Sequence, residues 1–146
     1  MTDLYLQATR SGRWKTQGVR VLALDHGTVR CGCAISDPTG VLVTPLEAIS
    51  PEVSMVEGLV TEHGVELVVV GLPRNLSGEE GEQAAIARAF SQDLERHLEV
   101  PIEVYDERLT TAMADRSGRE GATSDRDSLA AAHLLEGWLA SRASSG

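Results

Sequence analysis

The sequence predicts a single α/β domain: a central mixed five-stranded sheet, built from an antiparallel meander plus parallel strands and flanked by helices. Three observations lead there. Residues 19–49 read as short apolar strands separated by turn residues, the pattern of a meander. From residue 53 the apolar spacing lengthens to that of a helix. VELVVVG (65–71) is then a nearly continuous apolar run, as expected for a parallel strand buried on both faces. The resulting order, βββαβαβαα, puts the meander first and the crossovers second, in one layered domain.

Taken in order, residues 1–18 show no sustained period and form a flexible leader containing Arg10, Arg13, Trp14 and Lys15. The domain occupies 19–142 and a short disordered tail 143–146. VRVLALD (19–25) is the first strand, with Val21, Ala23 and Asp25 on one side at strand period. His26-Gly27-Thr28 turns the chain into CGCAIS (31–36). Asp37-Pro38-Thr39-Gly40 is a strong turn signal, and VLVTPLEAI (41–49) is the third strand, with Pro45 marking an edge. Val53, Val56, Val60 and His63 fall at helical spacing, and Gly64 can end that helix. After VELVVVG, Ser77 and Glu80 form an S-x-x-E capping box opening a long helix whose buried stripe is Ile86, Phe90, Leu94 and Leu98. VPIEVYD ends beside Glu107. Thr110 or Thr111 caps a short helix, SGREGATSDR (117–126) is a loop, and the last helix starts near Asp127 with Ala131, Leu134, Leu135 and Trp138 on one face.

Length and composition suit a globular protein with a real core: 146 residues, 42% hydrophobic and 24% charged. No stretch is long and apolar enough to cross a bilayer, and no secretory segment is visible, so a cytoplasmic location is expected. Cys31 and Cys33 are two residues apart inside a strand, where a bond between them would be strained. They are expected as small buried residues, since no further cysteine completes a zinc set. The net charge of −9 implies weak non-specific attraction to phosphate and reliance on bound cations. The basic residues are nearly all Arg, whose planar fork suits phosphate oxygens.

Phosphodiester hydrolysis needs an activated water, an oriented phosphate and a stabilised leaving oxyanion. Two hard cations roughly 3.5–4 Å apart can supply all three, and carboxylates are their natural ligands. Asp25 follows an apolar strand and precedes a Gly turn. Glu107 follows a second strand expected to be parallel. Both would lie at the carboxyl edge of the sheet, where open α/β proteins place their sites. Asp127 lies one turn before Ala131 and shares the inward stripe of the last helix, where a first-turn carboxylate is favoured by the helix dipole. Each position also has a plain structural use, as turn former, ion-pair partner or helix cap, so spacing alone leaves function open.

LALDHGTVRCGCAISD, VVVGLPRNLSGEEGEQA, VYDERLTT and RDSLAAAHLLEGWL, in this order from about residue 19 to 140, resemble the signature blocks of the YqgF/RuvX family. These are RNase H-like nucleases associated with pre-16S rRNA and also described as Holliday junction resolvase-like. DERLTT and GLPxNxxG are specific; D-x-G-T alone is weak. The resemblance implies that Asp25, Glu107 and Asp127 are the catalytic, metal-binding acids, working with Mg²⁺ or Mn²⁺, two ions in all. It implies an endonuclease acting on structured nucleic acid, with processing of the 5′ end of pre-16S rRNA in ribosome biogenesis as the expected role. Three features depart from the pattern. His26 stands beside the first acid, the loop before Asp127 is short and less basic, and His133 occupies an aliphatic position of the last helix.

Thr28, Arg74, Asn75 and Arg108 are the candidate substrate-binding groups. Gly27 permits a tight turn near the acids, and the 71–78 loop leads to a helix N-terminus that can offer free N–H groups to a phosphate. Aromatic residues are few, which favours recognition of shape and backbone over base stacking. Structured RNA is the preferred partner. A Holliday junction resolvase acting on branched DNA keeps the same site, and a homodimer rather than a monomer would suit its paired cuts. A non-catalytic RNA-binding assembly factor is a further alternative. An ATP-handling domain of the actin type shares the D-x-G-T turn but needs a second such domain, for which there is no length.

Overall fold

The computed structural model describes residues 19–27, 29–73, 81–106 and 123–144, with side chains of the final helix described from 128 to 142. The strands are β1 (Val21–His26), β2 (Cys31–Ser36), β3 (Val43–Ile49), β4 (Leu67–Leu72) and β5 (Ile102–Asp106). The helices are α1 (Val53–His63), α2 (Glu82–His97) and α3 (Thr123–Ser144). They form one five-stranded sheet in the order β3-β2-β1-β4-β5. β1, β2 and β3 pair antiparallel, whereas β1–β4 and β4–β5 are parallel. The mixed sheet is the one the sequence predicts.

Side-chain alternation sorts the sheet into two faces. Leu22 and Leu24 of β1, Cys33 and Ile35 of β2, and Val68 and Val70 of β4 pack against Val56 of α1 and Phe90 and Leu94 of α2. Val21, Ala23, Ala34, Leu67 and Val69 pack on the other face against Ala131, Leu134, Leu135 and Trp138 of α3. All six residues of β4 are buried, as its unbroken apolar run requires. Each of these large side chains contributes roughly 1.5–3 kcal/mol on leaving water. Cys31 and Cys33 are free thiols, both fully buried.

Turn chemistry accounts for the joints. Gly64 ends α1 in the left-handed region (φ 65°), its N–H bonded to the Val60 carbonyl. Between β2 and β3 the Asp37 carboxylate accepts from the Thr39 hydroxyl (2.7 Å) and from the N–H groups of Val41 and Leu42 (3.1 and 3.0 Å), while Gly40 takes φ 73°. That side chain draws Val41 and Leu42 into the turn, so β3 starts at Val43 and not at the expected residue 41, leaving Val41 83% exposed. Pro45 lies on β3, the outer strand, opposite Ala34.

Three further expectations are corrected. α2 begins at Glu82, after an N-cap at Gly81 that makes no side-chain cap bond; Ser77 and Glu80, expected as its capping box, lie outside the described residues. Ile86 is 37% exposed instead of lining the α2 stripe, which consists of Ala84, Ala87, Phe90, Ser91 and Leu94. At 100° per residue, position 86 sits about 100° from the centre of that arc. α3 begins at Thr123, one turn before Asp127, and continues to Ser144, past the expected domain end at 142. Its first turn, Thr-Ser-Asp-Arg, has no apolar period and so reads as loop. The short helix after Thr110 or Thr111, the leader 1–18 and residues 145–146 lie outside the described residues. No described helix is long and apolar enough to cross a membrane.

Candidate active site at the carboxyl edge of the sheet

The parallel strands β1, β4 and β5 end on the same edge of the sheet, at His26, Leu72 and Asp106. The chain leaves β1 through a turn that only glycine fits. Gly27 N–H donates to the Arg30 carbonyl (2.9 Å), and a Cβ at residue 27 would lie 2.6 Å from that carbonyl oxygen. Backbone atoms thus crowd the place a side chain would occupy.

Asp25 is half-buried and occupies the next-to-last position of β1. Its alternation puts it on one side with Val21 and Ala23, as the sequence predicts, and α3 covers that face. Its partner across β2 is Gly32, which presents no side chain beside the carboxylate. Next to Gly32 the β2–β3 pairing shifts register between Cys31 and Cys33, an irregularity that places two β3 residues against one of β2. Ser128 of α3 reaches this spot. Its Oγ accepts from the Cys33 N–H (3.5 Å), and its hydroxyl donates to the Leu46 carbonyl. The helix that carries residue 127 is thereby tied to the sheet beside Asp25.

His26 points the other way. Its ring meets Phe90 of α2 with centroids 4.7 Å apart and planes at 51°. Burial holds its pKa below the usual 6.5. A ring on the far side of β1 packs the α2 layer and does not share Asp25's face. His133 pairs loosely with Glu136 one turn on (3.5 Å) and is likewise a helix-surface group.

Farther from the edge, α3 is bound to β5 by polar groups. Trp138 Nε1–H donates to the Glu103 carboxylate (3.3 Å), Arg142 forms an ion pair with the same oxygen, and its guanidinium carbon sits 4.9 Å from the Trp138 ring centroid. Gly137 leaves room for Tyr105, whose hydroxyl would lie 3.4 Å from a Cβ there. Glu103 and Tyr105 of β5 therefore face α3, the face that Asp25 also takes.

Of the expected site residues, Asp25 has a described side chain. Asp127 has a described backbone position within α3, one turn before the buried Ala131. Glu107, Thr28, Arg74, Asn75 and Arg108 lie outside the described residues. Among the described residues no three His, Cys, Asp or Glu side chains converge on a common point. Ser128 and Gly32 were not singled out by sequence reasoning. The signal for Ser128 was a small polar residue in the inward stripe of an otherwise apolar helix, one position after a candidate acid.

The family model described as "RuvX: Holliday junction resolvase" matches residues 19–141. A protein of Rhodococcus erythropolis named "Putative pre-16S rRNA nuclease" is 40% identical, the match covering 84% of this chain and 78% of that protein. One of the same name from Moorella thermoacetica is 39% identical, covering 83% and 94%. Among solved structures, Thermus thermophilus RuvC in complex with a Holliday junction substrate superposes with a TM-score of 0.57 at 14% identity, covering 88% of this chain and 98% of that one. The sheet order, the mixed pairing and this superposition give the RNase H-like fold that the sequence blocks imply.

Proposed function

This chain belongs to the RuvX family, and on that premise we propose that it is a metal-dependent endonuclease hydrolysing phosphodiester bonds in structured nucleic acid. Its expected role is processing of the 5′ end of pre-16S rRNA, in the cytoplasm. The observation that carries the reading is the placement of Asp25: next to last on the central strand, at the sheet's carboxyl edge, on the face covered by α3 and opposite a glycine. The names of the relatives support a nuclease that acts on rRNA precursors.

In this reading Asp25, Glu107 and Asp127 hold Mg²⁺ or Mn²⁺, two ions in all. A carboxylate set suits these hard cations, and Asp25 supplies such oxygens beside a residue with no side chain to compete for the space. Cations held there supply a more acidic water and charge neutralisation at the phosphate. The chain's own groups do the rest. Asp25 is held by its pairing with Gly32 of β2 and follows Leu24, the last β1 residue paired with β4, so its backbone is set without a search over conformations. Thr28, Arg74, Asn75 and Arg108, which come after β1, β4 and β5 in the chain, would orient the phosphate. With a net charge of −9, non-specific attraction to nucleic acid is weak, and productive binding depends on these few contacts.

A second reading keeps the site and changes the substrate to branched DNA, and the description of the matching family favours it. Paired cuts across a junction would then call for a homodimer. Purified protein incubated with Mn²⁺ or Mg²⁺ and with structured rRNA precursor, single-stranded RNA and four-way DNA junctions separates these. Cleavage of the precursor is expected, with Asp25→Asn and Glu107→Gln slower by about 100-fold or more, the scale of losing a preorganised charge-stabilising group. A wild type that cuts nothing, or variants that cut equally well, would overturn the nuclease reading. Symmetric cutting of junctions in preference to RNA would replace only the substrate.

A further inference from the structure

Ser128 is 3% exposed and sits one residue after Asp127. A buried hydroxyl needs partners, and those it has are backbone groups of two different strands: the Cys33 N–H of β2 and the Leu46 carbonyl of β3. Cys33 and Leu46 are the paired residues immediately beside the register shift. A shift of this kind tilts ladder groups out of their regular alignment, and the Ser128 hydroxyl bridges the two groups at that point. The same irregularity lies next to Gly32, the cross-strand partner of Asp25. One hydroxyl therefore connects the start of α3 to the part of the sheet that sets Asp25.

We propose that Ser128 is a positioning residue of the site: by joining the Cys33 amide to the Leu46 carbonyl at the β2–β3 irregularity, it fixes where α3 presents Asp127 relative to Asp25. The inference rests on the reading of Asp127 as an acid of the site. Ser128 touches neither substrate nor metal; it acts through the neighbouring residue. The apolar contacts of Leu134, Leu135 and Trp138 hold α3 on the sheet, but such contacts are non-directional and tolerate small slides along the helix axis. A hydrogen bond to each of two strands does not. Removing a group of this supporting kind lowers metal affinity or activity about 10–100-fold in sites of this chemistry.

The test measures Mn²⁺ binding to the purified protein by electron paramagnetic resonance, alongside thermal unfolding without metal and kcat and KM for cleavage. The variants are Ser128→Ala, Ser128→Cys and Ser128→Thr, with Asp127→Asn for comparison. Ala and Cys are expected to fold, to weaken Mn²⁺ binding about 10-fold or more, and to lower kcat with KM for nucleic acid unchanged. Thr, which keeps the hydroxyl, is expected to stay within about threefold of wild type. The near-isosteric Cys variant keeps the test intact if Ala does not fold. Ala or Cys variants that fold and bind Mn²⁺ like wild type, while Asp127→Asn does not, would overturn the positioning role. So would a Thr variant as impaired as the Ala one, because packing and not the hydroxyl would then be the cause. A wild type and an Asp127→Asn variant that bind Mn²⁺ equally would instead show that the reading of Asp127 has failed, and this inference with it.

Discussion

The two faces of the sheet are made differently. Against α1 and α2 the strands present an almost purely apolar layer, closed at the carboxyl edge by His26 packed at a tilt against Phe90. Against α3 the apolar layer occupies the middle, and polar groups tie the helix at two places: Ser128 beside Asp25, and Trp138 and Arg142 on Glu103. The first face holds the fold by area alone. The second must hold it and, in the function proposed above, also fix the angle of a helix whose early turns carry Asp127, which area cannot do because apolar contact has no direction.

The contrast can be broken at several points. Trp138→Ala removes the largest fully buried side chain among the described residues and a hydrogen bond to Glu103, and should cost about 3–5 kcal/mol in urea unfolding. A loss below about 1 kcal/mol would mean that α3 is held mainly by its polar ties. Gly27→Ala forces a Cβ against the Arg30 carbonyl and should cost about 1–3 kcal/mol while lowering cleavage, because the turn after β1 must open. An unchanged melting curve would show that the turn relaxes freely.

The smaller effects concern protons. His26 titrates below 6.5 in the folded protein because burial disfavours its charged form. As pH falls, the unfolded chain takes up this proton first. The contribution to stability is therefore complete above 6.5 and is lost as pH drops through the folded value. His26→Phe should flatten that decline without changing the metal requirement for cleavage, and a change in metal requirement would place His26 in the site after all. Smallest is Asp37→Asn. Hydrogen bonds from the Thr39 hydroxyl and then from the Leu42, Val41 and Gly40 N–H groups hold the Asp37 carboxyl below 3.8. Its contribution is present above that value and is lost as pH falls through the folded one. The substitution should weaken the β2–β3 turn at neutral pH and remove that acid dependence, with cleavage untouched, as unfolding at pH 3 and pH 7 would show.

What the sequence disclosed, and what it did not, follows the same division. Apolar period located β1, β2, β4, α1 and the middle of α3, because burial on a face is written directly in residue spacing. It placed Asp25 on one side of β1 with Val21 and Ala23 for the same reason. The start of α3 was missed because Thr123 to Arg126 carry no apolar residue, and the entry to α2 because a glycine stands at its cap. Ile86 misled because an apolar side chain at the margin of a stripe fits the period about as well as one inside it. The β2–β3 irregularity and the role of Ser128 depend on a meeting between residues 95 positions apart, and no local pattern encodes that.

That separation bears on the order of folding. The meander closes through short turns, and β1–β4 pairing spans an intermediate stretch of chain, so much of the sheet can assemble from nearer contacts. The Ser128 bridge joins residues 95 positions apart, so it carries a larger loop-closure cost than the turns of the meander, and the ordering of the proposed site depends on contacts between distant parts of the chain.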